Sequence, residues 1–129
     1  MDPDTYETGR RIRTQVLGEA YVRSAAANGD FAQPLQDLVT EYCWGAVWGR
    51  PGLTPKTRSM LNLAMLAALN RPRELGTHVK GALNNGVTRD EIREVLLQVA
   101  VYAGVPAAVD SFRTAGEVLA ELDDDPGTA

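Results

Sequence analysis

At 129 residues the chain is the size of one ordinary domain, long enough to bury a core without metals or crosslinks. Its composition, 44% hydrophobic and 23% charged with a net charge of −4 and no Lys/Arg block, is globular and argues against a nucleic-acid partner. No apolar run is long enough to span a bilayer, and a single cysteine excludes an internal disulfide, which fits a reducing cytoplasm.

The pattern predicts an all-α fold, since no period-2 run breaks the helical spacing. One domain is expected over residues 1–122, with an acidic, frayed tail over 123–129. The N-terminal Met-Asp-Pro-Asp-Thr lacks the apolar stretch of a signal peptide. A first helix is expected near 5–16 and a second near 19–28. A third, near 34–48, is read from Pro34 as its starting residue. It carries both tryptophans and the cysteine, in Glu41-Tyr42-Cys43-Trp44-Gly45-Ala46-Val47-Trp48-Gly49-Arg50-Pro51-Gly52-Leu53.

Trp44 and Trp48 are four apart and share one helical face. That spacing serves core packing or a flat apolar wall beside a pocket. Gly45 and Gly49 are costly in a final helical turn, which makes sense if a neighbour or ligand approaches the backbone. Arg50 then leaves the helix beside the tryptophans, where a guanidinium fork suits a small carboxylate. Cys43 has no second cysteine, so it reads as a small buried hydrophobe.

Thr54-Pro55 marks the start of a fourth helix near 55–69. Its run from Leu61 to Leu69 is apolar nearly all round, which predicts burial on every side and contacts with another subunit. Pro72 starts a fifth helix near 72–85, ended by Asn85-Gly86 with Val87 packed behind. His78, the sole histidine, lies at helical spacing with Leu75, Val79 and Ala82. It reads as a core histidine or as a general acid/base tuned by partial burial. No ligand spacing for a metal is present. Thr88-Arg89-Asp90-Glu91 is a capping box for a sixth helix near 89–103, with Ile92, Val95, Leu96, Val99 and Tyr102 on one stripe. Gly104 separates it from a seventh helix near 106–121. Arg58, Arg71, Arg73 and Arg113 are further cation candidates for an anionic substrate, and Glu41, Glu74 and Glu94 are candidate supports for His78 or solvated carboxylates.

Taken together, several stretches resemble the carboxymuconolactone decarboxylase family, of the alkyl hydroperoxide reductase D-like helical fold. They are Trp44-Gly45 with Trp48 and Arg50-Pro51-Gly52-Leu53, Thr57-Arg58-Ser59, the run from His78 to Thr88, Glu91 to Gln98, and Tyr102 to Ala108. Tyr6, Gly9, Arg13 and Val16-Leu17-Gly18 also fit. The likeness runs in order over nearly the whole chain.

The resemblance implies a cofactor-free decarboxylase converting 4-carboxymuconolactone to 3-oxoadipate enol-lactone and CO2 in protocatechuate catabolism; the alternative is a family member acting on a different small lactone or keto acid, or a non-catalytic helical oligomer. It implies a homo-oligomer, a hexamer built as a trimer of dimers. Its site residues would be His78 and Tyr102 as catalytic groups, with Arg50, Trp44, Trp48, Arg58 and Arg71 binding the anionic lactone and the aromatic wall facing His78. Redox relatives carry cysteines where this chain has Arg71 and Glu74, so their chemistry does not carry over. Ala103 stands where the family usually has cysteine, and Cys43 where it often has alanine.

Overall fold

A computed structural model describes residues 1–27 and 29–125. Among them the chain is all-helical, with seven α-helices, one π-helical segment and no strand. Its contacts cluster into two compact units, Met1–Pro55 and Lys56–Ala129.

In the first unit α1 spans Pro3–Leu17, α2 Glu19–Ala26 and α3 Gly29–Leu38, and the π-helical segment runs Val39–Val47. Helix α1 begins two residues before its expected start. Asp2 is the N-cap, accepting from the Asp4 amide at 3.0 Å and the Thr5 hydroxyl at 2.8 Å, with Pro3 at the first helical position. Pro34 does not start a helix as expected but lies inside α3. Its missing N–H frees a carbonyl one turn earlier, and both Asp30 and Pro34 are exposed, which leaves that carbonyl open to solvent.

The π-helical segment packs along α1 and against α3. On α1 the buried residues are Gly9, Arg13 and Val16, at helical spacing. Facing them are Thr40, Trp44 and Gly45. Two glycines allow the backbones to touch. A Cβ on Gly9 would strike the Thr40 carbonyl and lie 2.8 Å from the Gly45 amide nitrogen; one on Gly45 would strike the Thr5 carbonyl. Gly45 thus admits α1, and Gly9 on α1 admits the π-helical segment.

In the second unit α4 spans Pro55–Ala68, α5 Pro72–Asn84, α6 Arg89–Ala103 and α7 Val105–Asp124. Leu63, Ala67, Leu75, Val79, Ala82, Val87, Ile92, Leu96, Val99, Ala115 and Val118 form its core. The expected caps are in place. Thr88 accepts from the Glu91 amide at 3.0 Å while Glu91 accepts from the Thr88 amide at 2.9 Å. Gly86, at φ +87°, lets the Val87 amide reach the Ala82 carbonyl at 2.9 Å. Gly104, at φ +109°, joins α6 to α7. Lys56 pairs with Glu91 at 3.1 Å, tying the starts of α4 and α6 together.

On helix α4 Leu63 and Ala67 are buried, while Leu61 and Met65, with Leu69 just beyond the helix, are 46%, 51% and 63% exposed. Two expectations need correction. Tyr102 leaves the buried stripe of α6 and is 84% exposed. Finally, α7 continues to Asp124, with Asp123 bonded to Arg89 at 2.6 Å, so helix and ion pair occupy the first part of the expected frayed tail. Residues 126–129 lie outside the described residues.

Candidate active site

The first unit holds an aromatic pair. In the π-helical segment bonds reach five residues back, as from the Trp48 amide to the Cys43 carbonyl at 2.9 Å. The wider turn keeps positions four apart on one side, and the Trp44 and Trp48 rings lie with centroids 4.6 Å apart, tilted by 32°. Trp44 is buried and Trp48 half-buried. Such π-helical turns are rare and recur at functional sites. Arg50 follows two residues later, exposed, its amide bonded to the Val47 carbonyl at 3.1 Å. Cys43 is exposed, contrary to the expected buried hydrophobe, because the α1-facing positions are taken by Trp44 and Gly45.

The second unit holds the histidine. His78 is half-buried on α5, between Leu75 and Val79, both of which are fully buried. Burial lowers its pKa from 6.5 to about 4, because desolvation penalises the imidazolium. At neutral pH the ring is therefore neutral, with one nitrogen donating and the other accepting. Its Nδ1 faces the side-chain amide of Asn62 on α4, Nδ2 to Nδ1 at 3.5 Å. Arg58, also half-buried, precedes Asn62 by one helical turn and so shares its face of α4.

Asn62 was not anticipated from the sequence. The signal was present: it is the only polar residue between Met60 and Leu69, and a polar side chain inside such a run needs a partner. Ser59, fully buried on the same helix, has one in Asn85, whose amide donates to its hydroxyl at 2.9 Å.

The remaining expected site residues lie elsewhere. Arg71, at the start of α5, donates from Nη1 to the Leu69 and Asn70 carbonyls at 3.2 and 3.3 Å, closing the turn before the helix. Arg113 pairs with Asp110 at 3.0 Å. Arg73, Glu74 and Glu94 are exposed, and Glu41 is half-buried in the first unit. Tyr102 stands on an apolar groove of about 750 Å³ between α4 and α6, with Met60, Leu61, Ala64 and Met65 along the opposite wall; neither His78 nor Asn62 lines it. Among the described residues no three His, Cys, Asp or Glu side chains gather as a metal site would require, and no helix is long and apolar enough to cross a membrane.

The second unit sets a neutral, half-buried imidazole on α5 beside the Asn62 carboxamide of α4, whose helical face also carries Arg58. A neutral imidazole N–H can stabilise negative charge developing on a substrate oxygen, and the arginine can receive a carboxylate. The family model described as the carboxymuconolactone decarboxylase family matches residues 33–117. A 4-carboxymuconolactone decarboxylase from Acinetobacter baylyi is 43% identical over 122 residues, covering 94% of this chain and 91% of that protein. A nitrosuccinic acid decarboxylase from Metarhizium robertsii is 42% identical over 120 residues, covering 92% of this chain and 84% of that protein.

Proposed function

Because the chain belongs to the carboxymuconolactone decarboxylase family, we propose that it decarboxylates 4-carboxymuconolactone to 3-oxoadipate enol-lactone and CO2, as a step of protocatechuate catabolism. The observation that carries this reading is the neutral imidazole of His78, set in a chain 43% identical to an enzyme of that name.

The substrate is its own electron sink, so the reaction needs no cofactor. Its departing carboxylate sits on a ring carbon joined through a C=C bond to the lactone carbonyl. As the C–CO2 bond breaks, the electron pair moves through the ring onto the carbonyl oxygen, giving an aromatic-like furan oxyanion. A proton then adds to the carbon alpha to that carbonyl. With its pKa near 4, His78 is too rarely imidazolium at pH 7 to serve as a strong acid. Its ring N–H instead bonds to the oxyanion, where charge develops. In the second unit Arg58 takes a substrate carboxylate; in the first, Arg50 is the candidate second fork and the Trp44–Trp48 pair the candidate apolar wall. Arg71, already engaged by backbone carbonyls, is the weakest of the three arginines in this role. Tyr102 is less well supported as a proton donor than His78, given its exposure on the apolar groove.

A second reading is favoured by the relative from Metarhizium robertsii, whose identity of 42% is nearly equal. Loss of CO2 beside a nitro group also drives an electron pair onto oxygen, there as a nitronate. The same N–H donor serves both reactions.

The test is to supply the purified protein with each acid separately and follow CO2 release and product. Turnover of 4-carboxymuconolactone that falls by orders of magnitude in His78→Ala supports the first reading. Turnover of nitrosuccinic acid alone moves the assignment to the second. Release of CO2 from neither acid sinks both.

The working form is proposed to be a homo-oligomer, a hexamer arranged as a trimer of dimers, in the cytoplasm. Supporting the assembly is the apolar face of the second unit, where Leu61, Met65 and Tyr102 border the α4–α6 groove and Leu97 and Val101 continue it. Supporting the compartment is the chain's one cysteine, exposed and so kept as a thiol where reductants are abundant.

A further inference from the structure

We propose that Arg13 is the seat of a carboxylate that its own chain does not supply, received in the first unit on the guanidinium edge formed by Nε and Nη2. The inference stands apart from the decarboxylase reading, and its test needs no turnover.

Arg13 on α1 is only 7% exposed, and Thr40, facing it from the π-helical segment, is 5% exposed. The Arg13 Nη1 donates to the Thr40 hydroxyl at 3.4 Å, and that hydroxyl donates in turn to the Gln36 carbonyl at 2.7 Å. Thr40 thus holds the guanidinium by one end. The Nε at its inner corner is buried with no acceptor. Among the described residues no carboxylate pairs with Arg13. Nearby acids are engaged elsewhere: Glu7 pairs with Arg10, and Asp37 accepts from Gln33. Gln36 Oε1, on the residue whose carbonyl takes the Thr40 proton, is likewise buried without a partner. The polar network of the first unit is therefore incomplete at one place, around Thr40.

A guanidinium taken out of water against a single neutral hydroxyl costs folding free energy. Unlike a lysine ammonium, it does not escape that cost by shedding its proton. A water molecule would answer Nε but leave the charge uncompensated, so the site calls for an anion. Nε–H and Nη2–H lie parallel along one edge and match the two oxygens of a carboxylate. One negative charge then meets one positive charge, whereas a phosphate dianion would carry surplus charge into a buried place. Helix α3, which carries Gln36, buries none of its residues, so this part of the first unit opens at low cost. The carboxylate comes either from a small acid in solution or from a side chain of a second copy.

Urea and thermal unfolding of the whole chain at pH 7 test this, with sodium acetate as the probe against sodium chloride at equal ionic strength. If a small acid is the source, acetate should raise the wild-type melting temperature by about 2 °C. Arg13→Met should abolish that rise, and in chloride it should be at least as stable as the wild type, because an uncompensated buried charge has been removed. If a second copy is the source, acetate should do nothing. The wild-type melting temperature should instead rise over an about 20-fold increase in protein concentration, and Arg13→Met should lose that rise. Should Arg13→Met fail to fold, Arg13→Lys keeps the charge without the fork and should lose most of whichever response the wild type shows. A wild type indifferent to both acetate and its own concentration overturns the proposal and leaves Arg13 a structural residue. A response that persists undiminished in the Arg13 variants overturns it as well.

Discussion

His78 is where residue-scale physics has the most to say. Its folded pKa of about 4 lies below the 6.5 of a solvated histidine because burial disfavours the charged ring. Between those pH values the unfolded chain binds the proton and the folded chain does not. The contribution to stability is therefore complete above about pH 6.5 and is lost as pH falls toward 4, by on the order of 3 kcal/mol. Denaturant unfolding of wild type and His78→Gln across pH 7 to 4.5 checks this: the wild type should lose stability faster with acid. The same neutrality predicts a kcat/KM profile with no inflection near pH 6.5; an inflection there would mean that the ring titrates as if solvated. Gly9 offers a steric counterpart. An added methyl would meet the Thr40 carbonyl and the Gly45 amide, so Gly9→Ala should cost about 3 kcal/mol, read from the urea midpoint. At this scale the sequence exposed His78, and the tryptophan pair through its spacing. It hid Asn62, because whether a polar side chain in an apolar run meets a ring on another helix depends on how the helices pack.

Among the elements, those announced by cap chemistry fell where expected. Thr88 with Glu91, Gly86 with Val87, Gly104, Pro55 and Pro72 each bound a helix by a local mechanism that needs no tertiary knowledge. Thr88→Ala should accordingly cost about 1 kcal/mol in stability, measured by urea unfolding, with the secondary structure retained. Asp2-Pro3 was an equally good start signal, and α1 uses it. Pro34 misled because a proline on an exposed early turn can be tolerated inside a helix. The π-helical segment was invisible for a different reason. Over nine residues the apolar spacing of Trp44 and Trp48 serves a four-residue and a five-residue hydrogen-bond ladder alike, and local spacing carries no trace of the close approach of α1 at Gly9 to Thr40 and Gly45.

For the whole molecule, composition and helical periodicity were enough for an all-α fold, and the family followed from motifs spread along the chain. The even apolarity of α4 gave a mixed answer. One face fills the core of the second unit through Leu63 and Ala67, and the other leaves Leu61 and Met65 exposed beside Tyr102. A polar substitution there tests the proposed assembly. Met65→Glu should shift the protein toward the mass of a single chain in light scattering after size exclusion, with unchanged circular dichroism, since Met65 is half outside already. Retention of the wild-type mass would remove this face from the assembly contact.

The paired tryptophans also make the protein its own spectroscopic probe. Both indoles of the chain belong to that one pair in the first unit, so the entire tryptophan emission originates there, and rings this close should couple electronically into a paired band of opposite signs in circular dichroism. Emission thus follows the melting of residues 1–55, while the helical signal near 222 nm sums over both units. Coincident curves would show that the two units unfold as one cooperative body, and separated curves would resolve a state in which one of them has melted alone.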